Sequence, residues 1–361
     1  MIHGGNIYEI EEKMGIPRND ILDFSSNINP LGVPDSLKRI ILNSVEDLVK
    51  YPDIKYNDLK KAIGQYYSLD KADIIVGNGA SEIIFNFIRA INPKRPLIVE
   101  PTFNEYRRSL KSKEDAVQNY LLKEKDFFQL KANKLINYME NNKTIDMLVI
   151  CNPNNPTGGL VEPKEMLDII QYCRLNKIFL MVDEAFMDFV ANEATYTLME
   201  YYKDYDNLML VRAFTKFYGV PGLRLGFGIT SNEKVKRKVE ALLPPWNINT
   251  FGGYFGEVIL SEKKYVLNTR EWLSKQQEWF TDKLIAIKDI KVFPTRVNFI
   301  LIKILTKQLT AKQLQQRLLR KGILIRDCSD FIGLNKQYFR LAIKDKASNE
   351  RLLSDLTNAL K

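Results

Sequence analysis

Short runs of apolar residues alternate with stretches of helical period through the middle of the chain. A short run bounded by turn residues is typical of a buried strand, whereas apolar positions three and four apart are typical of an amphipathic helix. Strands separated by helices favour a mostly parallel sheet, covered on both faces by right-handed crossovers. The predicted strands are 73–76, 96–100, 145–151, 178–183, 208–211 and 223–229, and the predicted helices are 81–91, one from Asn104, and 163–175.

The pattern changes after about Leu243, where two consecutive prolines end a helix. Longer helical stretches and separate strands follow, which favours a smaller α+β domain. The segment up to about Pro34 is rich in glycine, asparagine and proline, so we expect it to pack back onto the small domain or the functional site. The elements predicted here are helices near 250–261 and 265–288, strands at 299–304, 323–325 and 338–343, and a final helix to Lys361.

Together these elements predict an α/β protein with a mostly parallel central sheet flanked by helices, plus a smaller α+β domain. A length of 361 residues suits two domains better than one. We predict a large domain at 35–245. The N-terminal arm, 1–34, is predicted to join residues 246–361 in the small C-terminal domain.

The composition excludes several classes of protein. Apolar residues make up 45% and charged residues 27%, as in a soluble globular protein. No apolar run approaches the roughly 18 residues of a membrane helix, and no secretion signal is visible, so we expect a cytoplasmic protein without a membrane partner. Cys151, Cys173 and Cys328 are odd in number and far apart, which argues against a disulfide framework. The single histidine, His3, excludes a HExxH zinc site and an internal Ser-His-Asp triad, and we predict no metal site.

The net charge of +9 raises the question of a nucleic-acid partner. Basic residues are interleaved with acids almost everywhere, as in 232–240, a pattern typical of a solvated helix face. We therefore expect no nucleic-acid partner. The positive excess also suits a site that attracts small phosphorylated anions.

A lysine stands in a loop rich in glycine and proline, directly after the strand predicted at 208–211. The loop reads RAFTKFYGVPGLR from Arg212 to Arg224, with Lys216 near its start. A lysine forms a Schiff base with a carbonyl when its amine is deprotonated, which cationic neighbours and desolvation promote. Thr215 and Arg224 are suited to hold a phosphate. Taken alone, the segment is equally typical of a surface lysine in a loop.

Two further polar side chains lie at or just after the ends of predicted strands. Ligands bind at the carboxyl ends of strands in open α/β sheets. Asp183 ends the strand at 178–183, and a buried carboxylate needs a partner. A protonated pyridine nitrogen is a suitable one, because its charge makes the ring an electron sink. The alternative is an aspartate that caps the next element.

The loop NPNNPTGG at 152–159 is a rigid turn on any interpretation. In the functional interpretation, the Asn155 amide forms a hydrogen bond to a ring hydroxyl.

A glycine-rich turn, GNGASE at 77–82, joins a predicted strand to a helix N-terminus. Free backbone N–H groups and the helix dipole favour a phosphate there. The turn is not the GxGxxG dinucleotide motif, because position 82 is glutamate. It is a weak signal by itself.

Together and in this order, these motifs resemble those of the fold-type I pyridoxal-5′-phosphate (PLP) enzymes, the aspartate aminotransferase superfamily. The resemblance covers nearly the whole chain. Within that superfamily the chain resembles the group that contains histidinol-phosphate aminotransferases and L-threonine-O-3-phosphate decarboxylases. The HGGN opening at 3–6 and the segment LDFSSNINPLG at 22–32 favour the decarboxylases, which serve cobalamin synthesis. Phe186 points the same way, because the aminotransferases commonly carry tyrosine there.

The resemblance implies PLP as the cofactor and the PLP-dependent transferase fold of type I. It implies that Lys216 holds PLP as a Schiff base, that Asp183 pairs with the pyridine nitrogen, and that Asn155 contacts the ring oxygen. Ala213 stands where the family often has serine or threonine, so one hydroxyl contact to the phosphate is missing. The remaining implied contacts are the Ala80 and Ser81 amides, Thr215 and Arg224 with the phosphate, Phe103 with the ring face, and Tyr51 with the phosphate from a neighbouring subunit, hence a homodimer.

The resemblance also implies a substrate and a reaction. L-Threonine O-3-phosphate would lose CO2 to give (R)-1-amino-2-propanol O-phosphate for the cobalamin nucleotide loop. Arg340 would bind the substrate carboxylate, and His3, Asn27 and Arg326 are the candidates for the substrate phosphate. An aminotransferase acting on histidinol phosphate or a related amino acid would use the same cofactor and lysine, and its need for a 2-oxo acid would distinguish it. A non-catalytic binding protein of the same fold is a more distant alternative, which the retained lysine and aspartate argue against.

Overall fold

The computed structural model describes residues 4–361, and regular elements follow one another through most of this stretch. The strands are β1 Leu22–Asp23, β2 Ile74–Asn78, β3 Pro96–Glu100, β4 Gln118–Leu121, β5 Met147–Cys151, β6 Phe179–Asp183, β7 Leu208–Ala213, β8 Leu225–Ile229, β9 Ile290–Val292, β10 Phe299–Ile304, β11 Ile323–Leu324, β12 Arg326–Asp327 and β13 Tyr338–Ala342. The helices are α1 Ile7–Met14, α2 Asp35–Asn43, α3 Asn57–Tyr67, α4 Ala80–Ile91, α5 Glu105–Ser109, α6 Ala132–Glu140, α7 Pro163–Leu175, α8 Glu193–Tyr196, α9 Phe214–Phe217, α10 Glu233–Leu242, α11 Thr250–Ile259, α12 Lys263–Ile285, α13 Ala311–Leu319 and α14 Lys346–Leu360.

The larger sheet has the strand order β2-β8-β7-β6-β5-β3-β4. The strands from β7 to β4 pair in parallel, whereas β8 runs antiparallel to both of its neighbours. Strands β5 and β7 are buried along their whole length, as expected for a sheet covered on both faces. The prediction of a mostly parallel sheet flanked by helices is therefore confirmed, with β8 as the exception.

The strand directions bring several connections to one edge of this sheet. Strands β5, β6 and β7 are parallel, so their carboxyl ends share an edge. Strand β2 also ends there, because it is antiparallel to β8, which is itself antiparallel to β7. The turn into α4, the loop after β5, the end of β6 and the helix α9 after β7 consequently meet at this edge.

A second, antiparallel sheet has the order β12-β13-β10-β9. Helix α12 packs against β9 and α14, and α13 packs against α14. Helix α13 begins with a capping box between Thr310 and Gln313, which marks its start in the sequence. The division into 35–245 and 1–34 plus 246–361 agrees with the separation of the two sheets along the chain and stays a prediction.

The N-terminal segment returns to the C-terminal part of the chain. Leu22 and Asp23 pair in parallel with Ile323 and Leu324 in a two-stranded sheet. The single strand predicted at 323–325 is thus wrong in detail, because β11 pairs with β1 while β12 joins the second sheet beside β13. The edge strand β4 was also not predicted, since its polar sequence has no apolar run.

The described part of the chain shows two further features. No helix within residues 4–361 is both long and apolar enough to span a bilayer. All three cysteines are free and buried.

Candidate active site

A cavity of about 240 Å³ lies where the connections from the larger sheet meet the second sheet and the N-terminal segment. Most side chains expected from the sequence to be functional line it. Those carried by the larger sheet and its connections are Ala80, Ser81, Phe103, Asn155, Asp183, Thr215, Lys216 and Arg224. Those from the N-terminal segment and the second sheet are Asn27, Arg326 and Arg340.

Lys216 lies in the short helix α9, directly after β7, and faces the cavity. Burial lowers the pKa of its amine to about 8, and the positive charges of Arg340 and Arg224 contribute to this shift. Asp183 opposes the shift without reversing it. The nucleophilic form of a lysine is the neutral amine, so this position suits covalent attachment of a carbonyl compound.

Asp183 is the last residue of β6 and is buried beside the cavity. The backbone N–H of Ala185 donates to its Oδ1 at 2.9 Å, and the hydroxyl of Tyr106 donates to its Oδ2 at 2.6 Å. Burial raises the pKa of this carboxyl, while the two hydrogen bonds oppose the increase. A cationic partner in the cavity would stabilise the ionised form.

The cavity has a ready anion site at the start of α4. Gly79 precedes the helix with φ +76° and provides no side-chain cap, so the N–H groups of Ala80 and Ser81 are left for a ligand. The guanidinium of Arg224 lies so close that a Cβ at Gly79 would be 2.5 Å from its Nη2. A Cβ at Gly226 would be 2.5 Å from the amide nitrogen of Ala80. These glycines let an arginine and a helix N-terminus converge.

Asn155 is held in a rigid loop after β5. The side-chain amide of Asn154 donates to the Pro101 carbonyl at 2.8 Å and to Thr157 Oγ1 at 2.9 Å. Thr102 Oγ1 in turn donates to Asn154 Oδ1 at 2.8 Å. This network fixes the loop beside the cavity, so the neighbouring amide of Asn155 is oriented before any ligand binds.

Arg340 reaches the cavity from the middle of β13 and is only 5% exposed. Its Nη1 donates to Asn155 Oδ1, and its Nη2 donates to the backbone carbonyl of Ser25 at 2.8 Å. Its buried Nε has no hydrogen-bond partner among the described residues. Burial lowers the pKa of the guanidinium to about 10. The arginine is therefore held in place by two groups and still offers N–H donors.

Two aromatic side chains complete the apolar part of the lining. Phe103 meets Tyr106 edge to face, with ring centroids 5.7 Å apart. Phe186 meets Phe299 in the same way at 5.0 Å. At position 186 no hydroxyl is available to a ligand, and Ala213 at the end of β7 lacks one as well.

The candidates for the substrate phosphate are brought together in part. Asn27 is buried, and its Oδ1 has no partner in the described part of the chain. Arg326 is buried too, and its Nη2 contacts both carboxylate oxygens of Asp330, at 2.9 and 2.7 Å. His3 lies outside the described residues.

Tyr51 does not belong to the cavity lining of its own chain. Its side chain is 80% exposed and stacks on Trp246, with centroids 4.6 Å apart. The contact expected from the resemblance thus needs a second subunit.

Sequence reasoning missed two residues that contact the predicted ones. Tyr106 stands three residues after Phe103, but no local signal places its hydroxyl opposite Asp183. Ser25 lies in a segment whose pairing with β11 only the fold reveals. Both act through contacts between residues far apart in sequence.

The groups around the cavity fit PLP. A free amine, a buried carboxylate and an anion site at a helix N-terminus match an aldehyde, a pyridine nitrogen and a phosphate. The observation that supports this fit concerns Asp183, which is buried and accepts two hydrogen bonds. Within residues 4–361, no cationic side chain forms a hydrogen bond or salt bridge with it. A pyridinium would supply that charge.

The chain resembles known proteins over nearly its whole length. A sequence profile described as aminotransferase class I and II matches residues 19–356. The threonine-phosphate decarboxylase of Salmonella typhimurium is 36% identical over 358 residues, covering 99% of this chain and 96% of that protein.

Two solved structures resemble the fold as well. The histidinol-phosphate aminotransferase from Clostridium acetobutylicum superposes with a TM-score of 0.86 at 33% identity, and covers 93% of this chain and 98% of its own. The L-threonine-O-3-phosphate decarboxylase from Porphyromonas gingivalis has a TM-score of 0.82 at 26% identity, with the same coverage of 93% and 98%. Because the profile and these relatives span almost all of the residues that form the cavity, the chain belongs to the aminotransferase class I and II family.

Proposed function

We propose that this protein is a PLP-dependent lyase that decarboxylates L-threonine O-3-phosphate to (R)-1-amino-2-propanol O-phosphate, for cobalamin synthesis. The observation that carries the proposal is the pair of buried arginines, Arg326 and Arg340, in one cavity with Lys216. A substrate with a carboxylate and a phosphate needs two such cations at once. The similarity to a threonine-phosphate decarboxylase at 36% identity supports the same reaction.

The cofactor is PLP, whose protonated ring, when bound, withdraws electrons from the bond that breaks at the substrate's Cα. The Nζ of Lys216 would bind its aldehyde carbon, and Asp183 would pair with its ring nitrogen. With Phe186 in place of tyrosine, Asn155 is the side chain left to donate to the ring oxygen. The phosphate would be held by the Ala80 and Ser81 amides, Thr215 and Arg224, with Phe103 against the ring face.

Arg340 orients the substrate carboxylate. A decarboxylase must orient this group so that the bond to it is the one that breaks, and a tight salt bridge would stabilise the carboxylate that has to leave. The bonds from Arg340 to Asn155 and to the Ser25 carbonyl fix the guanidinium and occupy part of its donor set, so it makes fewer hydrogen bonds to a carboxylate than a fully free guanidinium would. This arrangement favours loss of CO2 over firm retention of the carboxylate.

The phosphate end supplies orientation from a remote group. Arg326, Asn27 and His3 are the residues we assign to it. Arg326 already contacts Asp330, so a phosphate would share or displace that carboxylate. Binding energy gained at this end can position the bond that breaks at the other end.

After CO2 has left, the Nζ of Lys216 or a water would deliver a proton to the substrate carbon. Its pKa near 8 suits both tasks, because the amine gains and loses a proton close to neutral pH. The lysine is therefore suited to serve both as the attachment point and as the acid.

The test is incubation of the purified, PLP-loaded protein with L-threonine O-phosphate alone, with CO2 and aminopropanol phosphate quantified. We expect sustained turnover without any 2-oxo acid. Absence of CO2 would overturn the proposal. The second candidate is an aminotransferase, favoured by the TM-score of 0.86 to a histidinol-phosphate aminotransferase, and turnover of histidinol phosphate with 2-oxoglutarate would then establish it.

We further propose that the protein acts as a cytoplasmic homodimer in which Tyr51 reaches the partner's cofactor phosphate. Exposed apolar side chains are frequent in the stretch 41–54, which contains this tyrosine, and Trp246 stacks on it, which favours a contact with a second copy. The buried, unpaired cysteines suit a reducing compartment. The exposed apolar residues in this patch are Ile41, Leu42, Val45, Leu48, Val49, Ile54 and Trp246.

A further inference from the structure

The two glycines of the HGGN opening contact one buried serine. The backbone N–H of Gly5 donates to Ser25 Oγ at 2.8 Å. Ser25 Oγ donates in turn to Asp23 Oδ1 at 2.5 Å, and the Ser25 N–H donates to the same oxygen at 2.8 Å. Ser25 is fully buried, so these bonds fix its side chain and backbone together.

Gly4 comes still closer to this serine. A Cβ at Gly4 would lie 2.1 Å from the Ser25 carbonyl oxygen and 2.8 Å from its carbonyl carbon. Both are backbone atoms of a buried residue, so a side chain at position 4 would displace one segment from the other. Gly5 adds a φ of +83°, which residues with a side chain rarely adopt. Glycine at both positions is therefore what lets the opening pack here.

The same carbonyl oxygen accepts the 2.8 Å hydrogen bond from Arg340 Nη2. One backbone group thus touches the N-terminal opening on one side and the guanidinium on the other. Gly4, Ser25 and Arg340 all line the cavity. A shift of the Ser25 carbonyl by a few tenths of an ångström would alter the direction of the guanidinium.

We infer that Ser25 is a positioning residue, through which Gly4 and Gly5 orient Arg340 toward the carboxylate of the substrate. The inference rests on the carboxylate role proposed for Arg340. It gives the glycines of the opening a function separate from that of His3, which is a candidate for the phosphate end. It also means that the N-terminal segment must pack against Ser25 for the carboxylate to bind.

The test measures two anions separately on the PLP-loaded protein by calorimetry. Propionate probes the carboxylate end, and inorganic phosphate probes the other end. We expect Ser25→Ala to raise the propionate Kd by roughly threefold to tenfold, the effect of losing one hydrogen bond in the chain of contacts, and to change the phosphate Kd by less than about twofold. Gly4→Ala should weaken propionate binding at least as much, because it moves the carbonyl itself.

Gly253→Ala is the matched control, because a Cβ at Gly253 would meet nothing within 4 Å. It should leave both dissociation constants unchanged. An unchanged propionate Kd in Ser25→Ala and Gly4→Ala would overturn the inference. Equal weakening of both anions together with a lowered Tm would overturn it too, since that result indicates a general loss of structure.

Arg340→Gln separates this inference from the proposed function. If it weakens propionate binding while Ser25→Ala does not, only the positioning role fails. If it leaves propionate binding unchanged, the carboxylate role of Arg340 fails and the inference fails with it. An aminotransferase reaction in place of decarboxylation would leave the propionate results as expected, because binding is measured without turnover.

Discussion

The lowered pKa of Lys216 comes from burial and from neighbours that are distant in sequence or lie across the loop. Burial, Arg340 and Arg224 together bring its pKa to about 8, whereas a lysine in water has a pKa of roughly 10.4. A larger fraction of free amine is therefore present at neutral pH. The ionisation of a single side chain thus already depends on the tertiary fold.

This shift predicts a pH dependence for cofactor attachment. The rate at which the apo-protein reacts with PLP should rise with pH and level off above about 8, because deprotonation creates the nucleophile. Stopped-flow absorbance of the bound cofactor measures this rate. Arg340→Gln should move the midpoint to higher pH, since it removes a cation that disfavours the ammonium form.

Lys216→Ala should attach no cofactor covalently and should have no turnover, and full activity in that variant would contradict the assignment.

Tyr106 is the second residue whose role only the structure reveals. Its buried hydroxyl donates to Asp183, so Tyr106→Phe removes one of the two donors that favour the ionised carboxylate. We expect PLP to bind about tenfold more weakly, as for loss of a hydrogen bond to a charged group. Fluorescence titration of the apo-protein with PLP measures the change.

Tyr138→Phe is the control for this substitution, because Tyr138 lies on α6 and is not among the residues that line the cavity. The two variants make the same chemical change. Equal PLP affinities for both would show that the Tyr106 hydroxyl has no part in cofactor binding.

At the scale of elements, a buried ion cluster joins the ends of β6 and β7 to α12. Arg212 on β7 is 1% exposed and contacts Glu184 at 3.0 Å and Asp188 at 3.1 Å. Arg270 on α12 donates to the Asp188 carbonyl and pairs with Glu193 at 2.7 Å. These contacts hold the end of β6, which carries Asp183, beside the end of β7, which leads into α9 and Lys216.

Removal of the central cation, Arg212, should lower the stability of the folded protein. Arg212→Met leaves two buried carboxylates without their partner, and we expect the free energy of unfolding to fall by about 3–5 kcal/mol. Urea unfolding of the apo-protein measures this change. Arg237→Met is the matched control, since it breaks an exposed pair with Glu233 and should cost less than about 1 kcal/mol. A similar loss of unfolding free energy in the two variants would show that the buried cluster stabilises the fold no more than an exposed ion pair does.

At the scale of the whole molecule, the proposed dimer has a consequence for the cofactor. Val49 is 85% exposed in the apolar patch around Tyr51. Val49→Asp places a charge in the proposed interface, so we expect sedimentation to show more monomer and PLP affinity to fall with it. Leu175→Asp, at a site that is 75% exposed on α7, should change neither property. A monomeric variant with unchanged PLP affinity would show that Tyr51 does not act across subunits.

The amino-acid sequence predicted most of the larger sheet. Strands that are buried on both faces appear as continuous apolar runs, and 96–100 coincides with β3. Elements whose sequences are polar and whose order comes from pairing were missed, as β4 shows. The break between β11 and β12 was missed because Leu324 pairs in one sheet and Arg326 in another, with only Ile325 between them.

The sequence by itself indicated the kind of chemistry, because the motifs that contain Lys216, Asp183 and Asn155 lie at or just after the ends of predicted strands and together resemble those of the PLP enzymes. It could not determine which groups hold these residues in place. The bonds from Tyr106 to Asp183 and from Arg340 to Ser25 join residues 77 and 315 positions apart, and no local pattern encodes them. Local propensity and periodicity decide where strands and turns occur, whereas burial and hydrogen bonding between distant segments decide ionisation and orientation. Only the tertiary structure therefore decided how the reactive groups are tuned.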